Sequence, residues 1–198
     1  PYAFRVLHTE NIGKVNFSSS IVGYFALIAA LGYSSYAVRE GAKIRDDKEK
    51  INAFASQIFS MNIMTTIFSY ILLFICIIVV PKFANYKLLI VISSMSIILT
   101  TLTIDWVNTI YEDYLFITIR SIIAQLIIVV LMFIIVRTED DYLKYAMLGN
   151  FSSMAVCVLN YFYCKRYVRI KFTLRIDFKQ HLKPILLLFA NAVATTIY

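Results

Sequence analysis

Long stretches without a single charge, set between short charged loops, constrain this chain more than any other feature. Residues 15–38, 51–81, 88–104, 121–136 and 145–164 contain no Asp, Glu, Lys or Arg. A helix needs roughly twenty apolar residues to cross a bilayer, so most of these runs are long enough or nearly so. The chain is 60% hydrophobic and 16% charged, more apolar surface than a soluble domain of this size could hide. In hydrocarbon every backbone N–H and C=O must be satisfied within its own segment, which leaves helices as the spanning element. The expected fold class is therefore an all-α polytopic membrane protein.

The stretch 105–120 organises the middle of the chain. It lies between the runs 88–104 and 121–136 and carries Asp105, Glu112, Asp113 and Arg120. Neither run is quite long enough to span alone, so both helices must extend into the stretch and reverse near Glu112-Asp113. Asp105 and Arg120 then stand at matching depths, about 11 Å into the hairpin at 1.5 Å rise per residue. A charge at that depth is costly without a partner or a wet cavity. The pair is expected to bridge the hairpin beside a hydrated space.

The rest of the chain follows in order. Residues 1–7 read as the end of a first span whose beginning is cut, and 11–14 as a polar turn. Residues 15–38 form a second span, with Asn16, Ser20 and Gly23 as a small, polar face for close helix contact. The third span, 51–81, carries a polar stripe of Asn62, Thr65, Thr66 and Ser69 at helical spacing. Interhelical hydrogen bonding is the plainer reading of that stripe, and direct substrate contact the other. Pro81 ends it, residues 137–144 form a further loop, and 145–164 a sixth span. In 168–179, apolar residues from Val168 to Phe178 alternate with Arg169, Lys171, Thr173, Arg175, Asp177 and Lys179. That period of two predicts an extended segment lying on the membrane surface. A seventh span begins at Pro184 and is cut at Tyr198. The organisation is thus 1–164 as one transmembrane lobe, 165–183 as a basic linker and 184–198 as the start of a second lobe.

The net charge of +7 does not point to nucleic acid, because the cations sit in short loops beside apolar runs. Loops 39–50, 105–120 and 165–183 hold thirteen of the nineteen Lys and Arg residues, which predicts that this set is cytoplasmic. Cys76, Cys157 and Cys164 show no ligand spacing with His8 or His181, so neither a disulfide framework nor a zinc site is expected. No Gly-rich phosphate loop is present, and no cofactor is expected. The adjacent acids Glu112-Asp113 and Asp140-Asp141 read as solvated turns rather than a catalytic dyad, and Trp106 as an interface anchor.

Several strings resemble the bacterial oligosaccharide flippases, the polysaccharide-biosynthesis (Wzx-type) branch of the multidrug/oligosaccharidyl-lipid/polysaccharide exporter superfamily. They are Pro1-Tyr2 through Arg5-Val6-Leu7, Asn11-Ile12-Gly13-Lys14-Val15-Asn16-Phe17, Tyr36-Ala37-Val38-Arg39-Glu40 and Arg45-Asp46-Asp47-Lys48-Glu49-Lys50. They continue with Ile104-Asp105-Trp106, Glu112-Asp113-Tyr114 and His181-Leu182-Lys183-Pro184-Ile185. His8-Thr9 departs from a usual Gly-Pro, Tyr33-Ser34 from a usual Ile-Pro, and Val107-Asn108 from a usual Leu-Tyr. The resemblance implies the N-terminal six-helix lobe of a two-lobe exporter of the bacterial inner membrane. Such a protein carries undecaprenyl-diphosphate-linked repeat units for surface polysaccharide such as O-antigen or capsule. Its implied partners are the lipid-linked oligosaccharide, membrane lipids and a polysaccharide polymerase.

A diphosphate at bilayer depth suits Arg, whose fork of donors matches its oxygens. Arg5 and Arg39 are the candidate substrate contacts, although each could equally sit at a headgroup interface. Asp105, Arg120, Asn62 and Thr66 are candidate gating or cavity residues. Two other readings compete: a cation-coupled multidrug exporter of the same superfamily, and a membrane enzyme or non-transporting scaffold.

Overall fold

The computed structural model describes residues 2–197; the side chains of 179–180, 191–192 and 195–197, among them Lys179, lie outside that description. It is helical, with no strand among the described residues. The helices are α1 (Tyr2–Ala30), α2 (Tyr33–Ile44), α3 (Lys48–Val79), α4 (Lys87–Thr103), α5 (Trp106–Ile110), α6 (Tyr114–Ile135), α7 (Tyr142–Cys164) and α8 (Phe178–Ile197). Among the described residues, four segments are long and apolar enough to cross a membrane: Tyr2–Ile44, Lys48–Val79, Pro81–Ile110 and Tyr114–Ile135. This is an all-α polytopic membrane protein.

Four of the described helices start on aspartates, and at three of them the carboxylate accepts from nearby backbone N–H groups. Asp47 accepts from the N–H groups of Glu49 and Lys50 at 3.2 and 3.1 Å, and Asp113 from Phe116 N–H at 3.4 Å. Asp141 closes a capping box with Thr138 ahead of α7. Each satisfies donors that a helix N-terminus leaves unpaired. Of the acids read as solvated turns, Glu112 and Asp140 are exposed, Glu112 pairing with Arg45 at 2.7 Å, whereas Asp113 is bonded and Asp141 is 6% exposed.

Among the described residues four non-glycine positions adopt positive φ, and all four lie at a helix break: His8 (59°), Leu31 (39°), Ile104 (46°) and Glu112 (58°). The first break is at His8, not at the polar 11–14, which are helical. The second span is likewise interrupted, at Leu31-Gly32, where Gly32 takes φ 77°. A Cβ there would meet the α8 backbone at Ile185, Leu188 and Phe189, so α8 crosses the break at close range. At Ile104 α4 ends and the short α5 turns aside before the reversal at Glu112.

The core groups Tyr33, Tyr36, Ile51, Ile58, Val107 and Ile185 at the end of the bundle that holds α2, α5 and the start of α8. Trp106 is 5% exposed and belongs to this core, rather than standing at an interface. α6 is the outermost helix: Arg120 is its one buried residue, while Ile122, Leu126, Val130 and Phe133 are about half exposed or more. In a bilayer such a face is solvated by lipid chains.

The extended segment 168–177 is not laid flat on a membrane surface; it is zipped along α3. The N–H groups of Arg169, Lys171 and Thr173 donate to Asn52 Oδ1, Ser56 Oγ and Ser60 Oγ at 2.8, 3.1 and 2.9 Å. Two extended residues advance about 6.6 Å and four helical residues about 6 Å, so every second amide meets every fourth side chain. Val168 is buried and Ile170 and Ile176 pack on the core, while Phe172, Leu174 and Phe178 stay exposed.

His8 stands where glycine is the undemanding residue. Its φ of 59° with ψ of 165° is a region almost reserved for glycine, worth about 1–3 kcal/mol of strain in other residues. Its one ionic contact, with Glu139 at 3.7 Å, is exposed on both sides and contributes little. His8→Gly should raise stability by about 1 kcal/mol, read as a higher midpoint of thermal unfolding in detergent. A His8→Gly midpoint at or below that of His8→Ala would show that the break carries no strain.

Candidate functional site

The site begins with Ile104. Its left-handed conformation ends α4 and turns the chain so that Asp105 faces the bundle interior. Arg120, less than two turns into α6, reaches back: Nη2 lies 2.9 Å from Asp105 Oδ1 and donates to Oδ2 at 3.0 Å. The guanidinium side chain is 4% exposed and the carboxylate 45%. Nε and Nη1 of Arg120 are buried without a hydrogen-bond partner, and the Phe116 ring lies 5.3 Å from the guanidinium. The carboxylate is thus the principal compensation for a cation taken out of water.

The open side of Asp105 faces a cavity of about 340 Å³ between the kinked α1–α2 segment, α3, α4 and α7. Asn62, Thr100, Thr103 and Ser152 contribute polar groups to its wall, and Asn62 Oδ1 is buried with no partner. A second cavity of about 460 Å³ shares Ser153 with the first and is lined by Asn16, Ser19, Gly23, Ser93 and Ser96. Asn16 and Gly23 of α1 therefore border open space, in place of the helix contact expected of them. Because Arg120 neutralises Asp105, the first cavity offers hydroxyls and an amide rather than net charge. Such a lining suits hydrated or hydroxyl-rich groups.

The full chain, residues 1–198, matches the family model described as polysaccharide biosynthesis protein. The chain belongs to that family. No match emerged among curated proteins, and none among solved structures. Family and helices together make this a multi-pass membrane protein of polysaccharide biosynthesis.

In this family member the sequence-predicted residues divide into two groups. Asp105, Arg120 and Asn62 come together at or beside the first cavity. Thr66 lies behind it and bonds Thr101 across to α4, Oγ1 to Oγ1 at 2.8 Å. Its stripe neighbours Thr65 and Ser69 donate to the carbonyls of Ala29 and Phe25 on α1, at 2.9 and 2.6 Å. The stripe is thus mostly interhelical, with Asn62 facing the cavity. Arg5 and Arg39 are exposed and lie outside that cavity; Arg39 pairs with its neighbour Glu40 at 3.0 Å.

Two supports of the site are residues that composition could not mark. Asn108 and Asn160, both fully buried, are joined at 2.6 Å, and Asn160 also donates to the Thr103 carbonyl left free where α4 ends. Cys164 donates to Asn108 Oδ1 at 3.3 Å. Nearby, Asp113 accepts from the hydroxyls of Tyr163 and Tyr167 at 2.6 and 2.7 Å. An asparagine inside an uncharged run is a sequence signal that could have found Asn160; Asn108 sits in the charged stretch 105–120, where nothing marks it.

Removing one partner of a buried ion pair strands the other. Asp105→Ala strands the more buried group and should cost about 3 kcal/mol. Arg120→Ala leaves a carboxylate that still reaches the cavity, so it should cost less. The exchanged double variant Asp105→Arg/Arg120→Asp should recover part of the loss in thermal midpoint; equal or negligible losses in the single variants would contradict the pairing.

The two tyrosine hydroxyls, Tyr163 first, hold the Asp113 carboxyl below its ordinary range. A lowered value means that the contribution is present above the ordinary carboxylate range and fades as pH falls through the lowered one. Asp113→Asn should therefore unfold at a lower temperature than the parent at neutral pH, with the gap closing in acid. A gap independent of pH would rule out that role.

Proposed function

We propose that this protein moves an undecaprenyl-diphosphate-linked oligosaccharide repeat unit from the inner to the outer leaflet of the bacterial inner membrane, by alternating access. The repeat unit would serve surface polysaccharide such as O-antigen or capsule. The observation that carries the reading is the family match over the whole chain. The cavity supports it: a hydroxyl- and amide-lined space inside a helical bundle, its one carboxylate neutralised by a buried arginine, fits sugar hydroxyls better than a cationic drug. In this reading, residues 1–164 act as one lobe, 165–183 as the linker and 184–198 as the start of a second.

Loops 39–50, 105–120 and 165–183 lie in the cytoplasm in this account, since most of the cations gather there. Arg5 and Arg39, near opposite ends of α1–α2, meet the diphosphate at the two sides of the membrane. Neither is buried. Asp105 and Arg120 hold the lobe together and loosen as it rocks, with Asn62 and Thr66 on the moving wall.

The test is flipping of a fluorescent lipid-linked oligosaccharide in proteoliposomes holding the natural full-length protein. Arg5→Gln and Arg39→Gln should each slow flipping about tenfold, the loss of one charge-assisted contact. Lys at either position should restore only part of the rate. Export of a cationic dye with no flipping would favour the drug-exporter reading; neither activity would favour a scaffold.

A further inference from the structure

The zipped segment does more than connect helices. Arg169 and Lys171 are consecutive on one side of it, and their amides are fixed on Asn52 and Ser56 of α3. That pinning holds both side chains beside a cavity of about 400 Å³ at the end of α7. Lys165 borders the same cavity, its ammonium 4.3 Å from the Tyr161 ring. The remaining walls are Ile104, Tyr161, Cys164, Val168 and Ile170, all apolar or aromatic, and no acid lines it. The nearby Asp105 and Asp113 are engaged by Arg120 and by Tyr163 and Tyr167. Arg169 and Lys171 side chains have no acidic partner among the described residues.

The location sets the ligand class. The rings of Tyr161 and Phe162, exposed at the end of α7, form an aromatic rim beside these cations, as side chains do at the level where they meet headgroups. Three cations over an apolar floor at that level match an anionic headgroup whose chains continue into the bilayer. A volume of this size is within the range of ordinary ligand sites. We propose that this pocket binds the phosphate of an anionic glycerophospholipid from the surrounding leaflet. The headgroup sits between Lys165, Arg169 and Lys171, and the acyl chains pass over Ile104 and Tyr161. The bound lipid joins the end of α7 to the docked segment, so it ties the linker to the bundle from the side opposite α3.

The experiment measures retention of phosphatidylglycerol and phosphatidylcholine by the purified protein, using native mass spectrometry and thermal midpoints in lipid-detergent micelles. Phosphatidylglycerol should be retained and should raise the midpoint; phosphatidylcholine should do neither. Arg169→Gln/Lys171→Gln should weaken phosphatidylglycerol retention about 30-fold, roughly fivefold per cation at an anionic headgroup. The charge-conserving Arg169→Lys/Lys171→Arg should keep it, which separates lost binding from lost folding. Lys43→Gln/Lys50→Gln removes the same charge elsewhere and should leave retention unchanged. Equal losses in both neutralised variants would overturn the pocket in favour of diffuse charge. Displacement by inorganic diphosphate alone, or retention of a polyprenyl diphosphate but not phosphatidylglycerol, would overturn the assignment of the ligand.

Discussion

Asp105 and Arg120 join the two halves of the central hairpin, the guanidinium buried and the carboxylate half open to the cavity, and the seat of the hairpin depends on that contact. α6 buries only Arg120 outright and sets a half-buried stripe of Phe116, Ser121, Ala124, Ile128 and Met132 against its neighbours, so the guanidinium adds a polar hold to a thin packing face. The hydrophobic effect that would hold such a helix in water is absent in lipid, where chains solvate Ile and Leu as well as a neighbouring helix does. A polar contact then carries weight that packing carries elsewhere. It also fixes where α4 must end, because Asp105 can face inward only once Ile104 has turned the chain.

The same principle explains the supporting network. The break after Thr103 exposes a carbonyl at the end of α4, and Asn160 from α7 satisfies it. Asn108, just past the break, ties back to Asn160. Nearer the middle of α7, Asn150 donates to the Ile92 carbonyl at 2.6 Å. α7 thus meets α4 through two asparagines, one near its end and one nearer its middle. Between them the wall is hydroxyls and small residues, which is what leaves the cavities open.

Helix content, the reversal near Glu112 and the pairing of Asp105 with Arg120 were legible because they follow from counting charges and rise per residue. The breaks were not, for a physical reason: three of the four sit at His8, Ile104 and Glu112, which carry no glycine or proline to mark them. Gly32 alone signalled its break. At His8 the likeness to the family suggested a Gly-Pro turn, and the chain breaks there with a residue that takes the conformation at a cost. The linker shows the opposite case. Its alternation announced an extended strand, but the partner of that strand was hidden, since Asn52, Ser56 and Ser60 look like ordinary polar positions until an amide ladder of matching pitch is laid beside them. The cavity was only half visible: Asp105 and Asn62 stood out by chemistry, whereas Thr100, Thr103 and Ser152 are the kind of residues that any membrane helix carries.

A guanidinium and a carboxylate touching inside the helical bundle underlie the whole site. Solid-state NMR on the protein in lipid bilayers, with Arg and Asp labelled, measures the distance between the Arg120 side-chain nitrogens and Asp105 Cγ directly. A strong dipolar coupling corresponding to about 3–4 Å, with Arg120 shielded from a paramagnetic agent dissolved in the acyl chains, is the predicted result. No coupling, together with strong broadening of Arg120 by that agent, would place the arginine toward lipid and contradict the arrangement from which the site is built.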